Sequence, residues 1–250
     1  MITIVASLAM ITLSVGGMLF GMFLRSRLPE GHLSADTKDI AKVALGLVAT
    51  ISALVLSLLL STAKMAYDSR GDELIQLSTD IMMLDRVLAH YGHEADDSRA
   101  QLRAAVMEAI EHVWSSDNAT TGARPYAFQL EGLHDRIAQL PPNSEEHQAQ
   151  RARALQLLTD INRTRFLLVS RGASTIPIPF LVVLILWVTV IFTGLGLFAP
   201  GNPTAAIIFV ICAISAAGAI FLILELDEPF VGIIKVSDAP LQRALVHLGH

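Results

Sequence analysis

Four long apolar runs are the feature that most restricts how this chain can fold. They cover approximately residues Ile2–Leu24, Ile40–Met65, Ile176–Ala199 and Thr204–Leu226. A helix needs about 20 apolar residues to cross the hydrocarbon core of a bilayer, and each run reaches that length. Only 16% of the chain is charged, against about 25% in soluble domains. The runs therefore predict an integral membrane protein with four transmembrane helices.

The first run is predicted to be a retained span rather than a cleaved signal peptide. No Lys or Arg precedes it, and it exceeds the roughly 7–15 apolar residues of a signal-peptide core. Arg25 and Arg27 follow it without the small-residue pattern of a cleavage site.

The polar region between the second and third runs is predicted to be helical throughout. Its first helix has apolar residues every three or four positions from Leu74 to Tyr91, and Gly92 is a typical stop. Only Gly71 weakly interrupts the path from the second run into this helix, so a single rod about 75 Å long is expected. Further helices follow, one from Tyr126 to Leu140 and another that starts at Asn143-Ser144-Glu145, a good N-cap context.

Prolines mark the start of the third run and of the tail. The third run opens with IPIPF, where Pro177 and Pro179 each remove a backbone donor. Two interpretations are open: the helix bends there, or it begins there. In the tail, Pro240 indicates the first turn of a short amphipathic helix that carries Leu241 and Leu245.

The predicted fold is thus all-α: a polytopic membrane protein with a helical extramembrane region inserted between transmembrane helices 2 and 3. The expected segments are 1–66 (helices 1 and 2), 67–172 (extramembrane region), 173–226 (helices 3 and 4) and 227–250 (tail). Four spans place both termini and the middle region on one side. The charge evidence on orientation conflicts: the first short loop carries Arg25, Arg27, Lys38 and Lys42, whereas seven lysines and arginines lie near the span ends on the other side. The larger number favours a cytoplasmic location for the termini and the middle region.

The second run carries a narrow face of small and polar residues with a lysine at each end. In one interpretation this stripe packs against another helix, since small residues let backbones approach closely in lipid. In the other it is a wall of a water-filled pore, where hydroxyls replace part of an ion's hydration shell and the lysines attract anions. The candidate pore-lining residues are Lys42, Gly46, Thr50, Ala53, Ser57, Ser61 and Lys64.

A cluster of acids marks the end of the fourth run. Glu225, Asp227 and Glu228 lie at the membrane boundary, where they oppose the dipole of a helix C-terminus. Interfacial ion pairs with Arg163, Arg165 or Arg171 are the favoured explanation, and a cation site is the alternative.

Nothing in the sequence has the spacing of a catalytic site. No nucleophile elbow, phosphate-binding glycine loop or zincin helix is present, so an enzyme and a cofactor are not expected. His90, His93, Glu94 and Asp96 are better explained as a charged helix end than as metal ligands. A net charge of −5 argues against nucleic acid as a partner.

Several blocks together resemble a prokaryotic bestrophin-like membrane protein family of unknown function. They are LPEGHLSADTKDIAK, the second run, MLDRVLAHYG, IPIPFLVVL, and FLILELDEPFVG with SDAPL. The wider likeness to bestrophin channels implies a pentamer with an axial pore walled by the second span, in a bacterial inner membrane. Pro229 and Phe230 stand where bestrophins carry Pro-Phe-Gly, but here Val231 precedes Gly232. IIKVSD follows instead of an acidic calcium clasp, so calcium gating is not implied.

Two functions follow from these observations. The first is a homo-oligomeric ion channel that passes inorganic ions, with its outer surface in membrane lipid. The second is a non-conducting membrane scaffold or sensor whose helical region binds a partner.

Overall fold

The computed structural model describes residues 2–29, 34–114, 130–170, 176–199, 202–230 and 232–248. Within these ranges the chain forms α-helices and one 3-10 turn, His93–Ala95, with no strand. The all-α class expected from the sequence is therefore confirmed. The helices are α1 Ile2–Arg27, α2 Ala35–Tyr91, α3 Asp96–Trp114, α4 Glu131–Ala138, α5 Glu145–Ser170, α6 Ile178–Phe198, α7 Pro203–Asp227 and α8 Ala239–His247.

Helices α1, α2, α6 and α7 are each long and apolar enough to cross a membrane. They coincide with the four apolar runs, so the chain is an integral membrane protein. Helix α6 begins at Ile178, with Pro177 as its N-cap and Pro179 in its first turn. A first-turn proline removes an N–H that has no intrahelical partner anyway, so the IPIPF prolines mark the start of a helix.

The described chain divides into two compact units. The first consists of Met1–Ala66 and Ser174–Asp227, and the second of Tyr67–Ala173 and Glu228–His250. Helix α2 contributes to both, because its 57 residues continue without a break past Gly71. The expected continuity of this helix past Gly71 is confirmed. Helix α2 ends at Tyr91, and Gly92 follows with φ of 108°, a conformation that favours glycine.

In the first unit, glycines let α1 and α6 approach until their backbones touch. A Cβ added to Gly21 would lie 2.8 Å from the backbone nitrogen of Leu197 and still closer to the carbonyl oxygen of Thr193. One added to Gly196 would collide with the carbonyl of Met18. Such contact is how helices associate in lipid, where hydrophobic burial between helices supplies little driving force.

The second unit has an ordinary hydrophobic core, built by the apolar stripes of α2, α3, α4, α5 and α8. Its centre on α2 is the predicted series, now buried: Leu74, Leu77, Ile81, Leu84, Leu88 and Tyr91. The Tyr91 hydroxyl donates a hydrogen bond to the carbonyl of Pro141 at 2.6 Å. Burial raises the pKa of Tyr91, and the positive charge of Arg151 opposes that shift.

A buried ion pair joins α2 to α3 in the same unit. Arg99 donates from Nε to Asp85 Oδ1 at 2.9 Å and from Nη2 to Oδ2 at 3.1 Å. The Asp85 side chain is only 4% exposed. Hydrogen bonding to Asp85 raises the pKa of the Arg99 guanidinium above its already high value. The two-pronged geometry fixes how the two helices meet.

The remaining helix boundaries follow the sequence signals. Helix α5 begins at Glu145, and the Ser144 hydroxyl accepts a hydrogen bond from the His147 amide at 3.1 Å, as an N-cap does. Helix α8 has Pro240 in its first turn and buries Leu241. Helix α4 spans Glu131–Ala138, whereas the part of the predicted helix near Tyr126 lies outside the described residues.

Candidate functional site

The small and polar stripe of α2 lies on the surface of the protomer. The opposite face of the helix is the packed one: Leu59 and Ala63 are buried against Met10 of α1 and Ile220 of α7. Helix packing within one protomer therefore does not explain the stripe in the described structure. All seven predicted residues are exposed: Lys42, Gly46, Thr50, Ala53, Ser57, Ser61 and Lys64.

The hydroxyls of this stripe differ in whether their protons are already used in a hydrogen bond. Thr50 donates to the carbonyl of Gly46 at 2.9 Å, which occupies its proton within the helix. Ser57 and Ser61 are exposed and make no hydrogen bond to the described part of the chain. A Cβ built on Gly46 would also meet no atom within 4 Å. The stripe thus presents two unused hydroxyls on a surface with little steric bulk.

Beside the stripe, α2 exposes a second surface of large apolar side chains. Leu54 is 67% exposed and Leu58 is 63% exposed, and Leu47 and Ile51 extend this surface towards the N-terminus of α2. Either exposed surface is free to face lipid, a neighbouring copy or an axis. Leu59 lies eight residues after Ile51, a multiple of the same four-residue step, but it is buried inside the first unit.

The two lysines at the ends of the stripe are both exposed. Lys42 Nζ lies 2.9 Å from Asp39 Oδ1, one turn earlier on the same helix. Both side chains of this pair are solvent-accessible, so the pair contributes little energy. Lys64 is exposed and also takes part in an interaction of its own.

The acidic cluster divides by burial. Glu225 and Asp227 are buried and each takes part in a polar or electrostatic interaction, whereas Glu228 is exposed. Pairing with Arg163 or Arg165 stays a prediction, and Arg171 lies outside the described residues. Among the described residues, no group of three His, Cys, Asp or Glu side chains is arranged to hold a metal ion.

The motif after α7 forms a turn that the tail closes. Pro229 is buried, and its carbonyl accepts a hydrogen bond from the Val236 amide at 2.8 Å. The Phe230 ring meets Trp114 edge to face at 6.0 Å, and Trp114 Nε1 donates to the carbonyl of Val236 at 2.9 Å. Gly232 has φ of 108°, which only glycine adopts readily. Pro229, Phe230 and Gly232 therefore have a conformational role in this turn.

Two features of the described structure were missed by the sequence analysis. Gly21 lies against the backbone of Thr193 and Leu197, and Gly196 lies against that of Met18, with no room for a side chain at either glycine. In the sequence, only the small size of these two residues pointed to such contacts. Asp85 and Arg99 form a buried pair across a helix corner, and their separation in the sequence gives no periodic signal.

Comparisons with known proteins give a family match and two similar solved structures. A family model described as "Bestrophin-like domain" matches residues 12–241. A crystal structure of a membrane-protein variant is similar, with a TM-score of 0.65 and 13% identity, covering 98% of this chain and 96% of the other. A variant of a bacterial bestrophin homologue from Klebsiella pneumoniae has a TM-score of 0.55 and 14% identity, covering 99% and 98%. No curated protein gives a significant match.

Proposed function

Because this chain belongs to the bestrophin-like domain family, we propose that it forms a homo-oligomeric ion channel in which α2 lines an axial pore. Several copies, most simply five, surround the axis, and each turns its α2 stripe towards a water-filled passage. One observation carries this proposal: all seven stripe residues are exposed on the protomer while the opposite face of α2 is packed.

The chemistry of the stripe fits ion passage. Ser57 and Ser61 can offer hydroxyl oxygens to a cation or hydroxyl protons to an anion, because no described residue uses them. Repeated around an axis, they would replace part of the hydration shell of an ion. Lys42 and Lys64 would raise the concentration of anions at the two mouths.

The proposed setting is a bacterial inner membrane. Residues 1–66 and 173–226 supply the transmembrane helices, which contact lipid, and residues 67–172 and the 227–250 tail are cytoplasmic, together with the N-terminus. The protein carries no catalytic activity or cofactor in this proposal. Glu225, Asp227 and Glu228 act as interfacial ion-pairing groups rather than as a cation site.

A second candidate is a non-conducting scaffold or sensor whose helical region binds a partner. The exposed methionines Met83 and Met107 in the second unit favour it, because such side chains adapt to varied surfaces. This candidate predicts no current from a purified oligomer in a bilayer.

Substitution of Ser57 or Thr50 by leucine is expected to reduce conductance while the oligomer stays intact. An isobutyl group would narrow the passage and remove a hydroxyl, so a reduction of about tenfold or more is expected. Single-channel recording of reconstituted protein measures the conductance, and size-exclusion chromatography with light scattering measures assembly.

The matched control is Ser215→Leu, which places the same change on an exposed position of α7. Conductance is expected to be unchanged in that variant. If Ser57→Leu instead dissociates the oligomer, the stripe is a packing surface between copies and the pore assignment fails.

Charge reversal at the stripe ends is expected to change ion preference. Lys42→Glu or Lys64→Glu makes a mouth electronegative, so the permeability of cations relative to anions should rise. Reversal potentials under a salt gradient report this ratio, and the effect should weaken at high ionic strength. Arg103→Glu on α3 is the control, and equal reversal potentials in all variants would remove the lysines from the permeation path.

A further inference from the structure

A groove of about 410 Å³ runs between α2 and α5, entirely within the second unit. It is shallow and open to solvent. The lining residues are Thr79, Met82, Met83, Arg86, Val87, Arg153 and Leu157.

The charge of the groove has one sign. Arg86 and Arg153 both line it, and no carboxylate is among the described residues that do so. Arg86 makes no ion pair with the described part of the chain, and Arg153 donates only to Gln156 Oε1 at 3.1 Å, a neutral acceptor. Both arginines are exposed, so their guanidinium groups are available to an anion from solvent, and each can bind a carboxylate through two parallel hydrogen bonds.

The floor of the groove is apolar. Leu157 is buried in the core, and Met82 and Val87 pack against that core. Met83 remains 42% exposed beside them. The Thr79 hydroxyl donates to the carbonyl of Ile75 at 2.9 Å, so a ligand need not supply a hydrogen-bond acceptor for it. This floor suits an alkyl chain, and methionines adapt to its shape.

We propose that this groove binds a soluble alkyl carboxylate of medium chain length. Its carboxylate would lie between Arg86 and Arg153, and its chain would cover Met82, Val87 and Leu157. The argument for an anion is charge complementarity, and the argument for a tail is the apolar floor. Binding here does not depend on conduction, so it can be tested without current.

Titration of the full-length protein in lipid nanodiscs with octanoate tests the site directly. Calorimetry, corrected with empty nanodiscs, is expected to show saturable binding. Butyrate should bind roughly tenfold more weakly or worse, since each lost methylene costs up to about fourfold in affinity. Octylammonium, which has the same tail and the opposite charge, should not bind.

Arg86→Gln combined with Arg153→Gln is expected to weaken octanoate binding by about tenfold or more, because charge-assisted hydrogen bonds are lost. Arg103→Gln, an exposed position on α3 outside the groove, should bind like the wild type. Equal affinity in the double variant, equal binding of octylammonium, or no binding to the wild type would overturn the proposal.

A labelling experiment asks whether the groove is open in the assembled protein. With Cys212→Ala as background, Met83→Cys should react rapidly with a water-soluble maleimide, and octanoate should slow that reaction. If Met83→Cys is unreactive in the oligomer and becomes reactive on dissociation, a second copy of the chain fills the groove and the small-molecule site is wrong.

Discussion

Gly21→Ala is expected to destabilise the first unit, which contains α1, α6 and α7, by about 3 kcal/mol or more, although the substitution adds only one methyl group. The new Cβ would lie 2.8 Å from the backbone nitrogen of Leu197 and closer to the carbonyl oxygen of Thr193. Neither backbone atom can move without separating α1 from α6. The expected result is a large fall in melting temperature and in the yield of monodisperse protein in mild detergent.

Gly16→Ala is a matched control on the same helix. A Cβ on Gly16 meets no atom within 4 Å, so this substitution relieves the low helix propensity of glycine without a collision. Stability should be unchanged or slightly higher. Gly21→Ala should therefore lower the melting temperature, whereas Gly16→Ala should leave it unchanged or raise it slightly. A Gly21→Ala protein that melts like the wild type would contradict the close packing of α1 on α6.

Asp85→Ala is expected to destabilise the second unit by about 3–5 kcal/mol, because it leaves Arg99 without its buried partner. Trp114 lies in this unit and Trp187 in the membrane unit. With Trp187→Phe as background, the fluorescence of Trp114 during denaturation reports the second unit alone.

Two controls separate the ion pair from a general effect of losing a carboxylate. Asp97→Ala removes an exposed acid from α3 and should change stability little. Asp85→Leu combined with Arg99→Met removes both charges and should recover much of the loss, since a buried pair is often replaceable by apolar groups. An Asp85→Ala variant as stable as Asp97→Ala would show that the pair does not hold α2 to α3.

The parts of the fold that could be predicted depend on local signals. Length and apolarity identified the four spans, and Gly92 identified the end of α2, because each follows from the chain within a few turns. The N-cap context Asn143-Ser144-Glu145 likewise indicated the start of α5, and Ser144 proves to be the residue that caps it. These signals need no knowledge of which helices are neighbours.

The missed features depend on neighbours. Gly16 and Gly21 look alike in the sequence, and only the position of α6 makes one indispensable and leaves the other free. Asp85 and Arg99 are brought together by the turn after Tyr91, which hydrophobic periodicity does not encode. The α2 stripe could be predicted only in part. The spacing of its small and polar residues placed them on one face of the helix, but the exposure of that face follows from Met10 and Ile220, which pack on the opposite one.

The central claim is that copies of α2 turn the stripe from Lys42 to Lys64 towards a shared aqueous axis. An electron cryo-microscopy reconstruction of the full-length assembly in lipid nanodiscs tests it most directly. The account predicts a closed ring with α2 innermost and with Thr50, Ser57 and Ser61 lining a continuous passage. A ring in which these residues are sealed against a neighbouring helix, or in which another helix surrounds the axis, would contradict it.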